Sequence, residues 1–196
     1  MMKSGSNNVF TPELVKILKI FMLSAVVLVI VFSFFDGHRA DNSGEDRTFR
    51  VTDSNRIYFQ NVRSIHYDRE VRNDAGMVLY RHGKRLKSET TPTLDPMILL
   101  NSLKDDAYIY FELNNGEWPI QIVATRAGAR DTFDLDMGNN QAHFHLFNQL
   151  IPEIEHDSTF ELIVDEKVVP LWQEEKEKQA VKTVAEDYLR LLSKTN

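Results

Sequence analysis

Paired histidines and a short row of aspartates are the first groups in this sequence with metal-ligating chemistry. His143-Phe144-His145 would set two imidazoles on one face of a strand, where both could hold zinc. The flanking residues have helical spacing instead, with Ala142, Leu146, Phe147, Leu150 and Ile151 on one broad arc. Residues two apart on a helix point about 200° apart, so the two rings cannot share an ion. His143 falls inside the arc and His145 outside it, so a buried, hydrogen-bonded His143 and a surface His145 are expected. Asp131, Asp134 and Asp136 lie before Gly138-Asn139-Asn140 and offer oxygen ligands near a turn, as a hard cation requires. A calcium-loop register counted from Asp134 fails, because Asn139 takes the glycine position and His145 the terminal glutamate position. No metal site is therefore expected. The three aspartates are the candidates should one exist, and Asn139 or Asn140 is expected to cap a helix.

Arg81-His82-Gly83-Lys84-Arg85-Leu86-Lys87 is the densest basic run. Ten Lys or Arg face four Asp or Glu between Arg47 and Lys87, against nine and twenty from Ser88 to Asn196, so charge is segregated along the chain. Arg81, Lys84, Arg85 and Lys87 are accordingly candidates for an anion, an anionic surface or an acidic partner. The competing expectation is a solvated hairpin tip whose charges the acidic half neutralises on folding. A net charge of −6 and the lack of any nucleic-acid-binding motif argue against nucleic acid as a partner. There is no Cys and no G-x-S-x-G, and the eight glycines are scattered singly, so no catalytic residue and no cofactor is assigned. Asp105-Asp106, Glu153 and Glu155 read as turn residues. Tyr108 and Tyr110 share one face of their strand and Ile109 and Phe111 the other, and either row could serve as a recognition surface.

Ile20 to Phe35 (IFMLSAVVLVIVFSFF) has only Ser24 and Ser33 as polar residues. Taken with the preceding turns, it is long enough for a bilayer core of about 30 Å. Lys16 and Lys19 can extend their stems along the apolar surface and act as membrane-interface anchors. Thr11, Pro12 and Glu13 mark a helix start, and Asp36-Gly37 a stop. A cleaved signal peptide is disfavoured because small residues are missing before any plausible cut. The expected organisation is a tail over 1–11, a transmembrane anchor over 12–35, a juxtamembrane linker over 36–46 and a folded domain over 47–196. Two lysines before the span against Arg39 just after it favour a cytoplasmic N-terminus and an extracytoplasmic domain in the cell membrane.

Within the domain, strands are expected at Thr48–Thr52, Arg56–Val62, Ser64–Tyr67 and Met77–Tyr80. A hairpin is expected between Ala107–Leu113 and Trp118–Ala124 across Asn114-Asn115-Gly116. Pro119 makes the second of these an edge strand, or one that starts just after it. Phe160–Val164 and Lys167–Leu171 follow as a further pair. Helices are expected at Leu94–Leu103, Asn139–Ile151 and Gln173–Leu192, the second ending before Pro152 and the third burying only its second half. The fold class is α+β, a mainly antiparallel sheet of about six to eight strands with two or three packed helices after a single transmembrane helix. The function expected from this is a membrane-anchored, non-enzymatic subunit or interaction domain of an envelope assembly, with the bilayer and a protein as its partners. The alternative is an anchored hydrolase or small-ligand binding protein with its site near Asp131, Asp134, Asp136 and His143.

Overall fold

The structure, a computed structural model, describes residues 12–34 (side chains as far as Leu28), 48–101 and 103–193. The expected tail over 1–11 and linker over 36–46 lie outside these residues. The chain divides into two units, 1–46 and 47–196.

In the first unit, Pro12–Phe34 forms helix α1, with Glu13 in its first turn. Its apolar side chains from Ile17 to Leu28 are exposed, Phe21 at 69% and Leu23 at 68%, and Lys16 and Lys19 are exposed near its start. Among the described residues no helix is long and apolar enough to cross a membrane. The described side chains end at Leu28, and Val29–Phe34 (VIVFSF) continue the backbone helix.

The second unit is α+β, with two four-stranded antiparallel sheets rather than the single sheet expected from sequence. Strands β1 (Tyr67–Arg72), β2 (Met77–His82), β3 (Thr93–Asn101) and β4 (Asp106–Asn114) lie in that order in the first sheet. The second sheet has β5 (Ile120–Arg126), β6 (Ala129–Leu135), β7 (Thr159–Val164) and β8 (Lys167–Leu171) in the order β6-β5-β7-β8. Helix α2 (Asp53–Tyr58) runs into a π-helical turn over Phe59–Arg63 and a 3-10 turn over Ser64–His66. Helices α3 (Asn140–Glu155) and α4 (Glu175–Leu192) complete the unit. One continuous core joins both sheets to the helices, with Ile98, Ile109, Ile122, Leu150, Leu162 and Tyr188 fully enclosed.

Five local expectations are corrected. Arg56–Val62 is helical, because Thr52 caps it by accepting from Asn55 N and only Phe59 is buried, against Tyr67 and Tyr80 at ring distances of 5.5 and 5.1 Å. Thr48–Thr52 makes one isolated bridge, Arg50 with Asp106, and Ser64–Tyr67 is a turn entering β1. Leu94–Leu103 contains strand β3 instead of a helix, since a strand covered on both faces has no alternation to read and its run of apolar residues mimics a helical arc. Pro96 is tolerated there because the β2–β3 ladder ends one residue earlier, at Arg81 opposite Met97, so no strand partner awaits its missing N–H. The expected hairpin across Asn114-Asn115-Gly116 does not form, because β4 pairs with β3 while β5 pairs with β6 and β7. That turn passes the chain between sheets, and β5 starts directly after Pro119.

Helix α3 opens as expected, with the Asn139 side chain accepting from Gln141 N and Ala142 N at 3.1 Å. It continues through Pro152 to Glu155. In the last turn, a proline removes a single intrahelical bond, and burial of Glu153 and Ile154 outweighs that loss. Helix α4 buries Glu177 and Ala180 in addition to its second half. Glu174 and Glu177 form a reciprocal capping box, so the polar first turns are held by their own carboxylates.

Candidate functional site

The structure scatters the metal candidates. Asp131 and Asp134 are three apart on β6 and point to opposite faces. Both are exposed, and Asp134 accepts from Gln121 Nε2 at 2.7 Å. Asp136 is exposed beyond the strand end. No group of three His, Asp or Glu side chains suited to a metal ion occurs among the described residues. His143 is 4% exposed inside the core and His145 is on the surface, so the neighbourhood named for a hydrolase site is not one cleft.

His143 instead closes a sheet edge. Strand β4 is the last of its sheet, and an unpaired edge must be covered or it templates aggregation. Three of its outward groups find partners within the fold. Ala107 N donates to Phe49 O at 2.8 Å, Ala107 O accepts from the Tyr188 hydroxyl at 3.3 Å, and Phe111 N donates to His143 Nδ1 at 3.2 Å. Burial holds His143 well below its usual range, at about 4, so the neutral ring acts as the acceptor. The unfolded chain binds this proton near 6.5, so the contribution of His143 is complete above that pH and is lost as pH falls towards 4. His143→Phe should destabilise by about 1–3 kcal/mol at pH 7.5, because it strands the Phe111 N–H. It should also flatten the acid decline between pH 6.5 and 4, as followed by denaturant unfolding of the full chain at several pH values. An unchanged acid limb would remove this role from His143.

Three of the four basic candidates are neutralised within the fold. Arg81 makes a two-pronged bridge to Glu112 at 2.6 and 2.7 Å and a further contact to Glu70 at 2.7 Å. Asp68 takes both Arg85 at 2.6 Å and Lys87 at 2.9 Å. Its carboxyl is lowered by the hydrogen bonds from Lys87 and Arg85. These groups border an open cleft of about 330 Å3. Beside it Asp95, directly across from Glu112 in the β3–β4 register, is 6% exposed and its Oδ2 is buried without a hydrogen-bond partner.

Lys84 belongs to a different cleft, of about 360 Å3, lined by Arg63, His66, His82, Lys84, Gln179 and Thr183. Four segments build it. The π-helical and 3-10 turns supply Arg63 and His66, the end of β2 supplies His82, and the loop after it supplies Lys84. On α4, Gln179, Thr183 and Asp187 recur at i, i+4 and i+8 on one face. Gly83 N donates to His66 O at 2.8 Å, and a Cβ at Gly83 would lie 3.2 Å from that oxygen, so glycine permits the approach that draws the two loops together. Asp187 is 4% exposed and accepts from Arg63 Nε at 2.6 Å and from the Tyr67 hydroxyl at 2.7 Å. Burial, with the adjacent carboxylate, drives the Tyr67 phenol far up, and the hydrogen bond to Asp187 raises Arg63 further. His82 sits against Tyr67 with ring centroids 5.2 Å apart and is pushed down to about 4, mainly by burial. Its Nδ1 accepts from Lys84 N at 3.2 Å, so the neutral ring carries its proton on Nε2 as a donor.

Of these lining residues the sequence singles out Lys84 alone as a candidate. Arg63, Gln179 and Thr183 carry no local signature, because 120 residues of chain separate the first from the last and only the packing of α4 on the β1–β2 end unites them. Comparison with protein-family models, with curated proteins and with solved structures finds no match.

Proposed function

We propose that the chain is a membrane-anchored, non-enzymatic subunit or interaction domain of an envelope assembly, with α1 in the bilayer and residues 47–196 on the extracytoplasmic side. The observation that carries this reading is α1 itself, whose described apolar side chains from Ile17 to Leu28 are exposed around the helix. A helix that is apolar all round requires a lipid or protein environment to cover it. Its 23 residues rise about 35 Å, against about 30 Å for a hydrocarbon core. Lys16 and Lys19 near one end suit the head-group layer. The folded unit fits a partner role because His143 is spent on closing a sheet edge and Arg81, Arg85 and Lys87 are already engaged by Glu112, Glu70 and Asp68.

The test has two parts. Alkaline carbonate should leave the full-length protein in the membrane pellet, and protease added outside sealed right-side-out vesicles should digest the domain. Gentle detergent extraction should then bring a stoichiometric companion with it. Release by carbonate would rule out the anchor, protection from external protease would reverse the orientation, and a lone monomer would remove the assembly role.

A further inference from the structure

We propose that the cleft between Arg63, His66, His82, Lys84, Gln179 and Thr183 binds the phosphate group of a phosphomonoester. Its two cations are less fully paired than those of the other basic cleft. There, Arg81, Arg85 and Lys87 are held by Glu112, Glu70 and Asp68. Here, among the described contacts, Arg63 is engaged through Nε alone and the Lys84 ammonium meets no carboxylate. The two terminal nitrogens of Arg63 form the planar fork that suits an oxyanion.

The buried carboxylate behind the cleft has a reason to exist on this reading. Burying an ion pair seldom stabilises more than an apolar replacement would. Asp187, itself held by the Tyr67 hydroxyl at 2.7 Å, binds Arg63 Nε at 2.6 Å, so the other edge of the guanidinium is oriented before a ligand arrives. The Asp187 charge is offset by Arg63, and Lys84 supplies the remaining positive charge. His82 Nε2, the Thr183 hydroxyl and the Gln179 amide add neutral donors from other directions. Donors converging from four segments match a tetrahedral group with several acceptor oxygens better than a flat carboxylate with two. The volume of about 360 Å3 leaves space for the organic part of an ester, within the range of roughly 300–1,000 Å3 common to small-molecule sites. The phosphate could belong to a soluble metabolite or to a lipid head group, and binding here does not depend on whether α1 crosses a bilayer.

The experiment is calorimetric titration of the full-length protein in nonionic detergent with phenyl phosphate, with short-chain dihexanoyl phosphatidic acid and with benzoate. Saturable binding of either phosphate compound, at least tenfold tighter than benzoate, is expected. Lys84→Ala, an exposed position that leaves the core intact, should weaken it about tenfold, and Thr183→Val severalfold. Arg63→Lys should weaken it despite keeping the charge, because the fork is lost. Binding of phenyl phosphate identifies a soluble ester as a sufficient ligand, and binding of the phosphatidic acid alone identifies the lipid source. Failure of both compounds to bind, affinity equal to that for benzoate, or Lys84→Ala and Thr183→Val proteins that bind like the wild type would overturn the proposal.

Discussion

Asp187→Leu is expected to lower the stability of the folded unit by about 3–5 kcal/mol, a large share of what a domain of this size possesses. The carboxylate is 4% exposed and holds Arg63 and Tyr67 at 2.6 and 2.7 Å. Removing it leaves the guanidinium without its countercharge and a buried phenol without its acceptor. The loss is greatest for the enclosed phenol, while the guanidinium keeps its edge on the cleft. Asp187→Asn should cost less, since the amide oxygen still accepts one of the two bonds. The double variant Asp187→Leu/Arg63→Met should recover part of the loss, because the penalty comes from the abandoned charge and not from the absence of the pair. Thermal and urea unfolding followed by circular dichroism would measure all three. A single Asp187→Leu variant within about 1 kcal/mol of wild type would mean that Arg63 and Tyr67 find water instead.

The second large effect has the opposite sign. Asp95→Asn should stabilise the protein at pH 8.5, because burial pushes the Asp95 carboxyl up to about 7, with Glu112 and Glu177 adding to the rise and Arg85 opposing it. The folded state holds the proton that the unfolded chain releases near 3.8. Its stabilising contribution is therefore complete below that pH, declines as pH rises, and is gone above about 7. Forcing ionisation in the folded protein costs roughly 4 kcal/mol, at about 1.4 kcal/mol per pKa unit. The variant should recover a few kcal/mol of this, less whatever its buried amide hydrogens leave unpaired. The gain should fall below half by pH 5 and vanish near pH 4. His82 and His143 act in the reverse sense over much of the same interval, since both sit near 4 in the fold and lose stabilising effect on acidification. Wild-type stability is thus a compensated sum, and the variant should show a steeper acid decline. A gain that is the same at pH 5 and pH 8.5 would show that Asp95 is not the titrating group.

Local chemistry was well marked wherever neighbours in sequence supply the partner. Asn139 capping α3, the apolar stripe of α4 and the inward His143 on the α3 arc were all legible, because caps and helical faces are set within one or two turns. Strand β3 reads as a helix in the sequence for a physical reason. Its apolar residues serve two covered faces, so the period that separates strand from helix was absent. Asn114-Asn115-Gly116 is legible as a turn, yet its local geometry does not say whether the strands on either side pair with each other or with others.

By itself, the sequence determined an apolar N-terminal helix, a polar segment after it, an α+β unit over residues 47–196 and the segregation of charge along that unit. Those properties follow from composition and short-range periodicity. Tertiary structure decided which charges remain available. Arg81 looked free and is locked by Glu112, whereas Arg63 looked ordinary and is aimed into a cleft by Asp187, 124 residues away. Ion pairing depends on distances of a few ångströms between residues far apart in the chain, and only the packing of α4 on the end of β1 and β2 brings those residues together.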